Sequence, residues 1–286
     1  MRLPDIARSP AVRRLVRAAL REDVGRGDVT SLALVPESAR ARAAVLARER
    51  GVVAGAGVAV AVFRAADPAV RCRILVPDGR TASPGEAVLR VAGPARGILA
   101  AERTALNFLQ RMSGVATLTR RFVDRVGGRG VAILDTRKTT PGLRALEKYA
   151  VRCGGGQNHR MGLYDRVLIK DNHRRLWRRG RASRLDEAVA EARRRWPGLA
   201  IEVEVETEEE LLSALKARPE WILLDNMSPA RLRRFAALGR GRCRFEASGG
   251  VTLANVGAVS RTGVDAISLG CLTHSAPAVD FSLEFE

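Results

Sequence analysis

The chain has 286 residues, 46% hydrophobic and 4% aromatic, enough for one large or two medium soluble domains with a real core. Its longest weakly polar run, residues 51–63, is too short and too rich in Gly and Ala to span a bilayer, so no membrane association is expected. A formal net charge of +18 would suit nucleic acid or small polyanions; the basic residues are dispersed and no stacking-aromatic motif accompanies them, so small anions are the expected partners and nucleic acid is not.

The first ~110 residues read as an α+β domain. Strand-like segments at 43–47, 70–75 and 87–91 surround an apolar helical stretch at 58–66, with turns at Pro77-Asp78-Gly79 and Pro84-Gly85. Residues 98–112 follow as a helix with apolar positions at Leu99, Ala105, Leu106, Leu109 and Met112. Arg103, on that helix, reads from the residues alone as part of a solvated face.

From about residue 130 strands and helices alternate. Strands are predicted at 131–135, 166–170, 201–206, 221–225, 244–248 and 266–270, with helices at 185–195, 208–217, 229–237 and 253–260. That alternation predicts a parallel sheet with right-handed crossovers, repeated often enough to make a closed or nearly closed α/β barrel. Nearly every strand ends on a chemically loaded residue: Arg137 and Lys138, then Lys170, Glu204, Asp225, Ser248 and Gly270. Barrel enzymes carry their chemistry at that C-terminal rim. In the strand IEVEVE, period-2 alternation puts Val203 and Val205 on one face and Glu202, Glu204 and Glu206 on the other. The alternation fits a half-exposed edge strand, or a barrel strand with its glutamates in the lumen beside Arg137, Lys138 and Lys170.

Residues 135–173 are the densest in function. Only four of the 49 basic residues are lysine, and three of them (Lys138, Lys148, Lys170) fall here, with two of the three histidines (His159, His173). A chain that otherwise writes Arg but writes Lys here needs compact ammonium groups. Arg137, Arg160 and Asp171 complete a set able to handle several negative charges. Lys148 is read as a surface or interface charge on a helix capped by Thr140 and begun by Pro141; Gly154–Gly156 is read as a flexible loop. Four separated cysteines with no C-x-x-C pair predict neither disulfides nor a zinc site, and the N-terminal stretch lacks an apolar export signal, so a cytoplasmic protein is expected.

The motifs EDVGRGDVTS (22–31), ERTALNFLQRMSG (102–114), DTRKTTPGLRALEKYAVRCGGGQNHR (135–160), GLYDRVLIKDNH (162–173), IEVEVE (201–206), LLDNMSP (223–229), EASGGV (246–251) and SLGCLTHSAPAVDFSLEF (268–285) resemble, in this order and over essentially the whole chain, the quinolinate phosphoribosyltransferase family. The resemblance implies an N-terminal α/β open-faced sandwich (1–112, with the tail 277–286 returning to it as a strand) and an incomplete, TIM-like α/β barrel (113–276). It implies phosphoribosyl transfer from 5-phosphoribosyl-1-pyrophosphate (PRPP) to quinolinate with Mg²⁺, giving nicotinate mononucleotide, pyrophosphate and CO₂ for NAD biosynthesis. It further implies a homodimer, or a hexamer built from it, that shares active-site residues across the interface.

Carried onto this sequence, Arg103 (from the partner subunit), Arg137, His159, Arg160 and Lys170 would hold quinolinate. Lys138, Ser248, Gly249, Gly250, Gly270 and His274 would hold the PRPP phosphates, and Lys138, Lys170, Glu204 and Asp225 would be catalytic, with Glu204 and Asp225 near Mg²⁺, partly through substrate and water. Planar carboxylates suit guanidinium forks, and backbone N–H groups at strand–helix turns suit phosphates. His173 is expected to orient Lys170 or to make a structural hydrogen bond. Cys271 and the Arg-rich stretch 174–184 depart from the family pattern. Competing readings are a same-fold paralogue acting on another phosphoribosyl acceptor, a lyase using Lys170 as a Schiff base, and a nucleic-acid binder.

Overall fold

The computed structural model describes residues 4–177 and 185–286. Of the Arg-rich stretch, 178–184 lies outside the described residues. The chain divides into two compact units: residues 1–120 with 139–156 and 271–286, and residues 121–138 with 157–270.

In the first unit, α1 (Pro10–Val24) and α2 (Val29–Leu34) lead into β1 (Arg40–Ala47) and β2 (Gly51–Val52). Then come α3 (Ala56–Ala66), β3 (Arg71–Ile74), β4 (Thr81–Ala82), β5 (Ala87–Pro94) and α4 (Ala95–Val126), whose last six residues belong to the second unit. Helix α1 starts with Pro10 at its first position and buries Val12, Val16 and Leu20, a single stripe at helical spacing. Asp78 caps α3 by accepting from the Gly55 and Ala56 N–H groups, and its Oδ2 also accepts from the Tyr149 hydroxyl at 2.8 Å. The main sheet is antiparallel in the order β12-β1-β5-β3, where β12 (Phe281–Phe285) is the C-terminal strand, paired with β1 from Ala43↔Phe285 to Ala47↔Phe281. A two-stranded β2-β4 sheet lies beside it.

Helix α4 runs fourteen residues past the helix predicted over 98–112. Ser113 and Gly114, just past that predicted helix, each have a tertiary use. The Ser113 hydroxyl bonds the backbone of Ala54, and a Cβ at Gly114 would collide with the Pro277 carbonyl. The unit also claims α5 (Arg144–Cys153) and α11 (Cys271–His274), so its contacts cut across the sequence boundary at 112/113. The reason is Arg111: it donates to buried Glu147 at 2.8 Å and to the Thr273 and Ala276 carbonyls, tying both segments to α4.

The second unit carries the parallel sheet. Its strands are β6 (Ala132–Leu134), β7 (Val167–Ile169), β8 (Ile201–Val205), β9 (Trp221–Asp225), β10 (Arg244–Ser248) and β11 (Ala266–Ser268), in the order β6-β11-β10-β9-β8-β7. Its helices are α6 (Asp171–Trp177), α7 (Leu185–Arg195), α8 (Glu208–Ala217), α9 (Pro229–Leu238) and the short α10 (Val256–Val259). Apart from β6, each strand neighbours its sequence successor, as right-handed crossovers require. The edge strands β6 and β7 do not pair with each other among the described residues, so the barrel is incomplete. Helix α8 carries a full capping box, Thr207 with Glu210, and Ser228 caps α9 ahead of Pro229.

Register sorts the inward-facing side chains into layers. Glu202 and Trp221 share the lowest, Glu204, Leu223, Glu246 and Ala266 the next, and Asp225, Ser248 and Ser268 the uppermost. Strand β8 is internal and every residue in it is buried, so its glutamates face the lumen and the edge-strand alternative falls.

Candidate active site

Because the six strands are parallel, their C-terminal ends share one edge, and the second unit brings most of the predicted residues to it. Arg137 (half-buried) and Lys138 (exposed) follow β6; Lys170 follows β7; Glu204 lies on β8, Asp225 ends β9, Ser248 ends β10 and Gly270 follows β11. Lys170 Nζ pairs with Glu204 Oε2 at 2.5 Å. An ammonium already held by a carboxylate is a point charge suited to phosphate, which weakens the Schiff-base alternative. Asp225 Oδ2 accepts from Asn226 Nδ2 at 3.0 Å.

At the β10 end, Gly249 and Gly250 take φ of 84° and 63° in succession. Such a conformation aims consecutive N–H groups to one side, a nest for an anion. A Cβ at Gly249 would run into the Asn226 amide, so this turn needs glycine for space as well as for φ.

Arg160 is half-buried, its Nη1 donating to the Arg166 carbonyl at 3.3 Å. Burial and then the Arg137 charge lower its pKa.

His159 is 8% exposed, and its ring is fully engaged. Residues 157–159 run beside β6: Gln157 N donates to Ile133 O, Asp135 N to Gln157 O, and Leu134 forms a parallel bridge with Gln157. Buried Asp135 accepts from His159 N at 2.9 Å and from Asn158 Nδ2 at 2.5 Å. The ring turns inward, Nε2 lying 3.0 Å from Glu202 Oε2 and 3.4 Å from Glu246 Oε2, while Nδ1 accepts from Arg160 N at 2.7 Å. Burial opposes a charge on this imidazole, but hydrogen bonds and charges from the two carboxylates outweigh it and draw its pKa to about 9. Against that pull, a second proton on Nδ1 would face the fixed Arg160 N–H. Geometry decides the matter in favour of the Nε2–H tautomer. Burial and then the Glu202 charge push Glu246 above the usual carboxylate range, whereas His159 and Arg166 bring Glu202 below it against its burial.

His159, Glu202 and Glu246 offer ligand atoms within 4.8 Å of one another, a set that could hold a metal ion. Nε2 makes its hydrogen bond to Glu202 Oε2, Arg166 Nη1 sits 3.3 Å from that same oxygen, and Glu202 Oε1 and Glu246 Oε2 are buried without a hydrogen-bond partner among the described residues. Glu204 and Asp225, on neighbouring strands at the rim, fit Mg²⁺ by the chemistry of their oxygen-only donors.

The remaining predicted residues lie elsewhere. Arg103, exposed on α4, and His274, exposed at the end of α11 with Nδ1 2.6 Å from Ser275 Oγ, belong to the first unit. His173 accepts from the Lys170 backbone N–H at 3.0 Å and so holds the main chain rather than the ammonium. Lys148, read from the sequence as a surface or interface charge, is 1% exposed. Its helix begins at Arg144 rather than Pro141, because the Thr140 N–H and hydroxyl bond the Glu147 carboxylate and form a turn ahead of it. Gly154–Gly156 is the hydrogen-bonded C-terminal cap of α5, not a loose loop, and a Cβ at Gly154 would meet the Ala116 carbonyl.

Sequence reasoning missed Asp135, Arg166 and Glu246. Glu246 had a legible signal: two residues before Ser248 on one strand, it must share the inward face. Asp135 and Arg166 had none, since their partners are set by tertiary placement.

Two family models match: "Quinolinate phosphoribosyl transferase, N-terminal domain" over residues 28–113 and "Quinolinate phosphoribosyl transferase, C-terminal domain" over 115–284. A Mycobacterium leprae protein named nicotinate-nucleotide pyrophosphorylase [carboxylating] is 43% identical over 282 residues, covering 96% of this chain and 97% of its own. A Bacillus subtilis protein named probable nicotinate-nucleotide pyrophosphorylase [carboxylating] is 42% identical over 274 residues, covering 96% and 93%. The solved structure of a Francisella tularensis nicotinate-nucleotide pyrophosphorylase superposes with a TM-score of 0.91 at 36% identity, covering all of both chains.

Proposed function

The chain belongs to the quinolinate phosphoribosyltransferase family, and on that footing we propose that it transfers the phosphoribosyl group of PRPP to quinolinate in the making of nicotinate mononucleotide. The observation that carries the reading is the convergence on one rim of Arg137, Lys138, the Lys170–Glu204 pair, Asp225 and the Ser248-Gly249-Gly250 nest. That set answers a planar dicarboxylate beside a phosphorylated sugar.

Arg137 and Arg160 take the two carboxylates of quinolinate as guanidinium forks and present its ring nitrogen to the sugar. Lys138 and Lys170 neutralise the phosphates, with backbone N–H groups of Gly249, Gly250 and Gly270 as a cradle. The bond from the ribose anomeric carbon to pyrophosphate breaks, its electron pair leaving with pyrophosphate, and the ring nitrogen bonds that carbon. Glu204 and Asp225 offset the positive charge that develops on the ribose. Glu204 and Asp225 would also hold Mg²⁺, partly through water and substrate, and the ion would neutralise the leaving pyrophosphate. In the product the nitrogen is quaternary and acts as an electron sink. The bond to the adjacent carboxylate breaks, CO₂ leaves, and the carbon takes a proton from water. Arg103, exposed on α4, is presented to the site of a second subunit in a homodimer.

The test is product chromatography with quinolinate, PRPP and Mg²⁺, and with nicotinate in parallel as the monocarboxylate control. Nicotinate mononucleotide from quinolinate alone, lost on chelation, is the expected result. A folded protein that makes none would overturn the reading.

A further inference from the structure

The barrel is open between β6 and β7, and the segment beside that opening carries Arg160. An arginine on an unclosed edge would wander unless something fixes its main chain. Below it, the His159 ring reaches across the lumen to Glu202 of β8 and Glu246 of β10, two strands that are not themselves neighbours. Its other nitrogen accepts from the Arg160 N–H, and Asp135 holds the His159 N–H from the β6 side. Both nitrogens of one ring are thus used: Nε2 hydrogen-bonds Glu202, with Glu246 Oε2 3.4 Å away, and Nδ1 holds the next residue's backbone. A buried charged cluster is costly to stability and is not expected where only packing is needed.

We propose that Glu202 and Glu246 are positioning residues: through the His159 ring they clamp the open edge of the barrel and fix the backbone from which Arg160 meets its dicarboxylate. The inference rests on the proposed quinolinate reading and goes beyond it by assigning a role to two carboxylates that touch no substrate. Metal and proton-relay roles are not needed. Glu202 lies one layer below Glu204, and Glu246, level with Glu204, is 1% exposed.

The experiment uses the full chain and the variants Glu202→Gln, Glu246→Gln and Glu246→Asp. Three readouts are taken: KM for quinolinate and for PRPP separately, calorimetric Kd for quinolinate alone, and the imidazole ¹⁵N–¹H spectrum. With three histidines in the chain, His159 is assignable from His173→Gln and His274→Gln. In the wild type, Nδ1 of His159 is expected unprotonated and Nε2 to carry a slowly exchanging proton. In the Gln variants the quinolinate KM and Kd should rise about tenfold while the PRPP KM stays within about twofold, with partial recovery in Glu246→Asp. The His159 signal should move with them. An unchanged quinolinate affinity overturns the proposal, as does an equal rise in both KM values alongside a fallen unfolding midpoint. A His159 that titrates freely in the wild type overturns it without any variant. If the wild type makes no nicotinate mononucleotide, the functional reading alone falls, and quinolinate Kd and the imidazole spectrum still decide the clamp.

Discussion

The two units bury charge for different ends. In the first, Glu147 accepts from Arg111 and from the Thr140 N–H and hydroxyl, a knot that ties α4, the turn before α5 and the 273–276 segment. The Arg111 guanidinium in that knot ends on main-chain carbonyls, those of Thr273 and Ala276. In the second, Glu202, Glu246, His159 and Asp135 lie directly beneath a rim of exposed and half-exposed charges, and their bonds end on the backbone of Arg160. Buried polar groups thus join chain segments in one unit and hold the backbone of His159 and Arg160 in the other. Breaking the first should damage stability and leave the chemistry of the folded fraction; breaking the second should do the reverse.

The largest effect is expected at the knot. Glu147→Ala leaves the Arg111 guanidinium and the Thr140 donors without their common acceptor. Stability should fall by about 3–5 kcal/mol, read from chemical denaturation, with kcat per folded molecule preserved. A fall in kcat without a fall in stability would erase the division between the units. Arg160→Ala tests the other half. It should lower kcat/KM for quinolinate by about 10²–10³ through loss of one charged fork, with the unfolding midpoint nearly unmoved.

A sharper form of the comparison uses Arg103, on the first unit, and Arg137, on the second. If the partner subunit supplies Arg103, two inactive variants, Arg103→Ala and Arg137→Ala, should complement on mixing. Random reassortment of a dimer gives about a quarter of wild-type activity, because half the dimers are mixed and each has one intact site. Assay after subunit exchange reads this directly, and no recovery would place Arg103 in its own subunit's chemistry or outside it. Gly249→Ala is expected to act more mildly and on the other substrate. A Cβ at φ 84° against Asn226 strains the turn by roughly 1–3 kcal/mol and should raise the KM for PRPP rather than that for quinolinate.

The sequence made the rim readable because parallel strands end on one side, so a polar residue at each strand end is already a statement about place. Glu202 and Glu204 were legible for the same reason, through the alternation of IEVEVE. The His159 clamp was not: it joins residues 43 and 87 positions apart, and local pattern has no reach at that range. Lys148 misled because charged residues on an amphipathic helix ordinarily face water, whereas α5 is buried from Leu146 to Val151. Helix α1 escaped although Pro10 at its start and apolar positions 12, 16 and 20 announce it. The end of α4 could not be read, since Ser113-Gly114 carries the local mark of a stop and only the packing of 277–278 overrides it.

The smallest expected effect concerns pH, and it again separates the units. Tyr149 donates its hydroxyl to Asp78, the residue that caps α3, and burial together with the Asp78 charge raises its pKa in the fold. The unfolded chain ionises its tyrosines near pH 10. Above that pH the unfolded state therefore loses a proton that the folded state keeps, so this contribution is fully present below about pH 10 and declines as pH rises beyond it. The decline should be steeper in wild type than in Tyr149→Phe, where the thiols of Cys72, Cys153 and Cys243, also raised by burial, still contribute, when denaturation midpoints are followed between about pH 9 and 11. Tyrosinate absorbance gives an independent reading. Tyr149 should ionise only as the first unit opens. If it ionises in folded protein, the Asp78 bond does not hold the phenol, and the link between α5 and the cap of α3 fails as a stabilising contact.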